Sequence, residues 1–456
     1  MPIEKVSGTS LEYYLICFDK AGKERPENGE LLSEKVLHVL SSQPITDVFL
    51  MSHGWQGDVP SAKNQYQKWI AAMATTSDDI QKIQQIRPGF SPLLIGLHWP
   101  SQVWGNENLD AQLPSFDIAG DPQLDDLIED YAGQVSDTEA SRDALRRIFN
   151  ASIEYNTPPD TLPPEVLAAY EVLIREASFA NDSEETDEWQ ETETLSFDPE
   201  SIYEDDLEKQ TSDVSFGIGS HFASTRNLFL NVPRLLSFWK MKDLARKIGE
   251  TSGFNLLTKL QQVANHQVRF HLMGHSFGTI VVSASVAGTK DNNKLVRPIN
   301  SLVLIQGAVS LWSYSSNVPH RNNLSGYFHP IIAEGKVAGP IVTTQSDLDH
   351  AVRNAYPIAG TIGLTLDQDI DFDVSTRKYP DVGGIGVYGI QGEGLDITNI
   401  EMLSLAESYN FQPGKIYNLE STKYISVENP DLFSGAHNAI DKPEVAHAFW
   451  SAVLSV

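Results

Sequence analysis

The 456-residue sequence contains a single cysteine, Cys17. No intramolecular disulfide can form, and the cysteine patterns of secreted scaffolds and structural zinc sites are missing. There is also no His-Glu-x-x-His motif, so we expect no catalytic metal ion. These absences favour a protein of a reducing compartment.

Positive charge and long apolar runs are also scarce. Lys and Arg number 33 against 61 Asp and Glu, which gives a formal net charge of −28. A nucleic acid or an anionic membrane needs clustered cations, so neither is an expected partner. No run of about 18 apolar residues occurs, and the first residues lack a basic stretch followed by an apolar one. We expect a cytoplasmic protein with no transmembrane segment.

The sequence gives little support for a phosphate-binding loop. Residues 384–389 read Gly-Ile-Gly-Val-Tyr-Gly, but no convincing strand precedes them and no helix-forming run follows. No Gly-Lys-Ser or Gly-Lys-Thr occurs anywhere in the chain. We therefore expect no bound cofactor and interpret this stretch as a flexible loop near the pocket.

Short apolar runs rich in β-branched residues predict buried strands. Seven of them alternate with helix-like stretches, which predicts the α/β class with a mostly parallel sheet. The runs are LEYYLICF, TDVFLM, PLLIGLH, VRFHLM, SLVLIQ, GPIVTT and KIYNLE.

The alternation of predicted strands and helices is interrupted between residues 105 and 225, which have helical patches but no convincing strand. We predict a core of residues 1–104 and 226–456, carrying 105–225 as a helical, acidic cap insertion. Within it, residues 181–210 hold thirteen acidic residues against Lys209 alone. Such a run is typical of a solvated surface, and the alternative is a site for a cationic partner.

One serine lies in a Gly-x-Ser-x-Gly pentapeptide, Gly274 to Gly278. VRFHLM before it predicts a strand, and FGTIVVSASVAGT from Phe277 predicts a helix. A sharp strand-to-helix turn lifts the hydroxyl of Ser276 clear of the backbone, and glycine at both ends removes Cβ atoms at the close approach. Ser276 is thus a candidate nucleophile, and the alternative is a small residue in a tight turn.

The tetrahedral intermediate of such a nucleophile needs two backbone N–H donors. Phe277, at the start of the following helix, offers one. The other is predicted in His53-Gly54-Trp55-Gln56-Gly57, directly after the strand TDVFLM, with the Trp55 N–H as the donor. We interpret His53 itself as a structural histidine rather than a second base.

Together, the HGWQG loop, the GHSFG turn, GPIVTTQSDLDHAV and GAHNAIDKPEVAHAFW resemble the α/β-hydrolase superfamily in their order along the chain. The resemblance covers most of the chain outside the acidic insertion. It implies an eight-stranded, mostly parallel sheet, a Ser-Asp-His triad in that order, and a cap made by an insertion. It also implies hydrolysis of an ester, thioester or amide without a cofactor.

In this family the acid follows the strand that is here GPIVTT, where Asp347 and Asp349 compete. The resemblance favours Asp349, because Asp349 to Val352 matches the Asp-x-x-Val pattern common on that loop. For the base, His437 and His447 compete. Pro443 and Glu444 predict the first turn of a helix, which would contain His447 and leave His437 in the preceding loop. A triad histidine must move between serine and aspartate, which favours His437.

The leading hypothesis is a serine hydrolase of the lipase or carboxylesterase type, acting on a small-molecule or lipid-like ester through an acyl-enzyme. The second is a catalytically silent protein of the same fold that uses its acidic insertion to bind a protein partner.

Overall fold

The strands and helices follow from a computed structural model of the chain. It describes residues 3–55, 59–101, 122–155, 157–177, 199–212, 225–319, 323–355, 379–380, 382–427 and 435–456. Over these residues the α/β class is confirmed, with a mostly parallel sheet flanked by helices. Residues 181–198 of the acidic run, with Gln56 and Gly57 of the HGWQG loop, lie outside the described residues.

In the described part of the chain, nine strands form one sheet in the order β1-β2-β4-β3-β5-β6-β7-β9-β8. Only β1 runs antiparallel to its neighbour; the other pairs are parallel. The strands are β1 Ile3–Lys5, β2 Glu12–Cys17, β3 Asp47–Ser52, β4 Pro92–His98, β5 Arg269–His275, β6 Ser301–Ile305, β7 Ile341–Gln345, β8 Ile397–Glu401 and β9 Ile416–Glu420.

The seven predicted strands are all confirmed, as β2 to β7 and β9. The expected number of eight strands is wrong, because β1 and β8 extend the two edges of the sheet. Neither strand was predicted, because helices cover the edge strands of a sheet less completely than its central strands. The five residues of β8 are all partly or fully exposed, so they carry no run of buried apolar side chains.

Helices connect and cover the strands. They are α1 Leu32–Ser42, α2 Val59–Thr75, α3 Ser77–Ile86, α4 Pro122–Val135, α5 Glu139–Glu154, α6 Pro164–Ala177, α7 Pro199–Ser212, α8 Thr225–Ile248, α9 Phe254–Val263, α10 Gly278–Ala287, α11 His329–Ala333, α12 Ile385–Tyr388 and α13 Pro443–Leu454. Two π-helical turns are added at Gly249–Gly253 and Ala351–Ala355.

Alternate strand residues face two helical layers. Phe49 and Met51 of β3 and Met273 of β5 share one apolar core with α2, α3 and α13. The intervening residues face the other way, toward the layer that contains α10. All ten residues of α10 are buried, which explains its nearly uninterrupted apolar and small-residue sequence.

The chain divides into two compact units. The first, which holds the sheet, comprises Met1–Gln102, Lys242–Ile358 and Asp373–Val456. The second comprises Val103–Met241 and Ala359–Phe372, where the sequence suggested an insertion of residues 105–225. The division falls inside α8, which runs through Pro233 without ending. Within the second unit, the Tyr170 hydroxyl donates to the Phe229 carbonyl at 2.7 Å.

Candidate active site

Ser276 occupies a strained turn at the carboxyl end of β5. Its φ is 55°, in the left-handed region that L-residues other than glycine seldom adopt. The turn is held by main-chain bonds to the neighbouring strand end: the Ser276 N–H donates to the Ile305 carbonyl at 3.1 Å, and Ala308 N–H donates to the Ser276 carbonyl at 3.3 Å. Strain maintained in this way is characteristic of functional positions.

The two glycines of the pentapeptide lie at close backbone contacts. A Cβ on Gly274 would overlap the Gly278 carbonyl, and one on Gly278 would overlap the carbonyl oxygens of Ser52 and His53. Strand β5, helix α10 and the end of β3 can therefore approach one another only with glycine at both positions.

The loop after β3 packs directly on this turn. A Cβ built on Gly54 would lie 2.8 Å from the Ser276 Cβ. The two residues predicted as oxyanion donors are neighbours, since the Trp55 and Phe277 ring centroids are 5.4 Å apart. Phe277 directly precedes α10. At its N-terminus a helix has free N–H groups and the positive end of its dipole. The described part of the HGWQG loop thus brings Gly54 and Trp55 to the serine turn.

Asp349 and His437 form a buried pair. The Asp349 Oδ2 and His437 Nδ1 atoms are 2.8 Å apart, and the Asp349 side chain is fully buried. The loops are also joined by their main chains, because the Ala436 N–H donates to the Leu348 carbonyl at 2.8 Å. His437 lies before α13, in the loop where the sequence placed it.

The carboxylate of Asp349 has further donors. Gln306 Nε2 donates to Oδ2 at 2.8 Å, and the Val352 N–H donates to Oδ1 at 2.9 Å. Hydrogen bonds to both oxygens fix the plane of the carboxylate. The Val352 bond gives a physical reason for the Asp-x-x-Val spacing.

Two residues that support Asp349 were missed in the sequence. Gln306 is fully buried, with a φ of 44°, immediately after β6. Gly386 packs on the carboxylate, since its built Cβ would lie 3.1 Å from Asp349 Oδ2. The Gly-x-Gly-x-x-Gly stretch around it contains helix α12 and is not the loop that we expected. The only available signal for Gln306 was a polar residue ending an apolar strand.

The competing residues lie elsewhere. The Asp347 side chain is 63% exposed and pairs with Arg353 at 2.7 Å. His447 lies inside α13, as predicted, where its Nδ1 is 2.7 Å from Asp79 Oδ2 and its Nε2 is 3.1 Å from the Glu407 carbonyl. Neither competitor belongs to the pair formed by Asp349 and His437.

His53 is buried beneath the loop that it begins. Its Nδ1 is 2.7 Å from the Gly54 carbonyl, and Trp99 N–H donates to its Nε2 at 3.3 Å. Burial, reinforced by His98, lowers the pKa of His53 to about 3. The neutral imidazole, with a hydrogen-bond partner at each nitrogen, stabilises the conformation of the loop that follows β3.

Two other buried histidines lie on β5. His271 contacts Ser301 through Nδ1 at 2.8 Å and Asp47 through Nε2 at 3.2 Å. Burial lowers the pKa of His271 and, to a greater extent, that of His275. With His53, three imidazoles are held neutral inside the first unit.

These histidines predict acid-sensitive stability. Below pH 6.5 the unfolded chain binds protons that the folded chain excludes, so the free energy of unfolding must fall as the pH decreases. Each histidine contributes at most about 1.4 kcal/mol per pH unit, a slope reached where the unfolded imidazole is fully protonated and the folded one is neutral. Urea denaturation between pH 7 and pH 5 measures this slope.

Protonation of surface carboxylates contributes to the same curve, so a variant isolates the histidine effect. His271→Gln should reduce the slope, by at most about 1.4 kcal/mol per pH unit. Equal slopes for His271→Gln and the wild-type protein would contradict the assignment of His271 as buried and neutral.

Within the described ranges, no three His, Cys, Asp or Glu side chains are grouped so that they could hold a metal ion. The helices of those ranges include none that is both long and apolar enough to cross a bilayer. No family model matches the chain, and neither the curated proteins nor the solved structures contain a match.

Proposed function

We propose that the protein is a serine hydrolase of the α/β-hydrolase type that cleaves carboxylic esters through an acyl-enzyme. The observations that carry the proposal are the strained Ser276 after β5 and the buried Asp349–His437 pair, whose base lies beside the end of that strand, since the His437 and His275 ring centroids are 4.8 Å apart. The sheet order supports it, because the serine, the acid and the base follow β5, β7 and β9 in turn.

Each group has a chemical role. Asp349 accepts a hydrogen bond from the Nδ1–H of His437, which leaves the Nε2 lone pair to take the proton of the Ser276 hydroxyl. The serine oxygen attacks the ester carbonyl carbon, and the π electrons of the C=O bond move onto the carbonyl oxygen. The amides of Trp55 and Phe277 stabilise this charge.

The intermediate then collapses toward the acyl-enzyme. The carbonyl re-forms, the bond to the alcohol oxygen breaks, and His437 delivers its proton to that oxygen. Water, deprotonated by the same imidazole, attacks the acyl carbonyl carbon. The bond to the Ser276 oxygen then breaks, and His437 returns the proton to that oxygen, which releases the acid and restores Ser276. This cycle needs no redox change.

The aromatic rings beside the serine favour an apolar acyl group. Trp55 is partly exposed and its ring contacts that of Phe277, which is buried. We therefore propose esters of apolar acids as the substrate class, of the lipase or carboxylesterase kind. Initial rates on p-nitrophenyl esters from acetate to palmitate measure the acyl preference.

Labelling with a fluorophosphonate tests the proposal. The probe reacts with an activated serine, so we expect one adduct, on a peptide that contains Ser276. Ser283 is a matched internal control, because it lies on α10 with its hydroxyl bonded to the Thr279 carbonyl and Tyr314. Absence of an adduct on folded protein would overturn the enzyme proposal and favour the binding-protein alternative.

A further inference from the structure

His275, the residue before the nucleophile, joins two other segments of the site. Its Nε2 is 2.9 Å from the main-chain carbonyl oxygen of His437, and its Nδ1 is 2.7 Å from Gln65 Nε2. The side chain is buried, and its ring centroid is 4.8 Å from that of His437. No part of the triad chemistry uses this imidazole.

The partners of His275 fix where its proton lies. A carbonyl oxygen only accepts, so His275 Nε2 carries the hydrogen and donates it to His437. His275 Nδ1 is then unprotonated and accepts from the Gln65 amide. The other end of that amide accepts the Gly54 N–H at 3.3 Å.

These bonds form one polar chain across the site. It runs from Gly54 in the loop after β3, through Gln65 on α2 and His275 beside the nucleophile, to the main chain of His437. The loop that carries the donors and the loop that carries the base are thus both attached to the strand that ends at Ser276.

We propose that His275 is a positioning residue for the base: its Nε2–H bond to the His437 carbonyl holds the His437 imidazole in register with Ser276. This inference rests on the function proposed above. Proton transfer depends on short distances between the reacting atoms, and a displacement of about 1 Å can cost about 100-fold in rate. The bond acts on the main chain of the base, so its loss alters kcat more than KM.

Two conservative variants separate the two bonds of His275. In His275→Gln, the terminal amide nitrogen lies where Nε2 was and can still donate to the His437 carbonyl. In His275→Asn, the shorter amide reaches toward Gln65 but not toward His437. We expect His275→Asn to lower kcat about 10- to 100-fold with little change in KM, and His275→Gln to restore most of it.

His271 offers a matched control on the same strand. It is equally buried, but its bonds go to Ser301 and Asp47. His271→Asn and His271→Gln should lower stability, measured by urea denaturation, without the difference in kcat between Asn and Gln. If the His271 pair showed the same kinetic pattern, a general loss of stability would explain it and the inference would be wrong.

A spectroscopic measurement is independent of turnover. In Ser276→Ala protein labelled with ¹⁵N-histidine, the His275 signals should be those of the neutral Nε2–H tautomer. The Nδ1–H tautomer would overturn the inference even if the esterase activity were established. Equal kcat values for His275→Asn and wild type would do the same. A lack of hydrolysis by the wild-type protein would instead refute the proposed function.

Discussion

Replacement of Ser276 with alanine is expected to lower kcat for ester hydrolysis by roughly 10⁶-fold. In the proposed mechanism, loss of the nucleophile removes the acyl-enzyme route altogether, and the other two proposed triad members then contribute almost nothing because the three would act as a unit. Ester hydrolysis followed at saturating substrate, with background hydrolysis subtracted, measures the loss. A residual kcat within 100-fold of wild type would exclude Ser276 as the nucleophile.

A second inactivating substitution at Ser276 is expected to give a more stable protein than alanine does. With a φ of 55°, Ser276 has a backbone conformation that is unfavourable for any residue with a Cβ atom. Ser276→Gly should therefore be as inactive as Ser276→Ala but more stable than it, by about 0.5–1 kcal/mol once the greater freedom of unfolded glycine is included.

A control for the backbone effect lies far along the chain. Asn28, whose φ is 52°, is an exposed residue in a turn. Asn28→Gly should change stability slightly, because asparagine tolerates this conformation better than serine, and should leave kcat unchanged. If Ser276→Gly proved less stable than Ser276→Ala, the turn would not be strained in the way that its dihedral angle indicates.

The parts of the fold that the sequence predicted are those with strong local patterns. The strand Ser301–Ile305 is buried on both faces of a parallel sheet, so each of its five residues is apolar or small. β1 has three residues and β8 is only partly buried, so neither shows this pattern. Their places at the sheet edges depend on pairing with distant segments, which no local pattern contains.

In the candidate site, too, the residues with a local sequence pattern were predicted and those without one were not. The glycine spacing around Ser276 is dictated by neighbouring residues, and the Asp-x-x-Val spacing of Asp349 by a bond within one turn. The supporting amides are different, because Gln306 meets Asp349 across 43 residues and Gln65 meets His275 across 210. A glutamine has no local signature for such contacts, and only the assembled sheet brings it to its partner.

Conversion of Asp349 to asparagine should lower kcat by about 10⁴-fold while the fold is retained. The carboxylate accepts from Val352 N–H on one oxygen and from Gln306 and His437 on the other. In Asp349→Asn, an amide oxygen turned toward Gln306 and His437 keeps the Nδ1–H tautomer but lacks the negative charge that stabilises the protonated imidazole. An amide oxygen kept against Val352 N–H turns the NH₂ group toward His437, where it donates to Nδ1, so Nε2 must carry the proton. An imidazole protonated at Nε2 cannot accept the proton of the Ser276 hydroxyl.

Asp347→Asn is the matched control, since it makes the same substitution two residues earlier in the same loop. Asp347 is mostly exposed, and its ion pair with Arg353 is of the surface kind that contributes at most about 1 kcal/mol. We expect kcat within about twofold of wild type for Asp347→Asn, because the charge it removes is screened by water and does not contact His437. The reverse pattern, with the loss at Asp347 and not at Asp349, would reassign the acid and imply that the buried pair is structural. Because both variants remove one negative charge from the same loop, a difference of several orders of magnitude in kcat shows that the contact with His437 matters, where the buried carboxylate orients the imidazole and stabilises its protonated form.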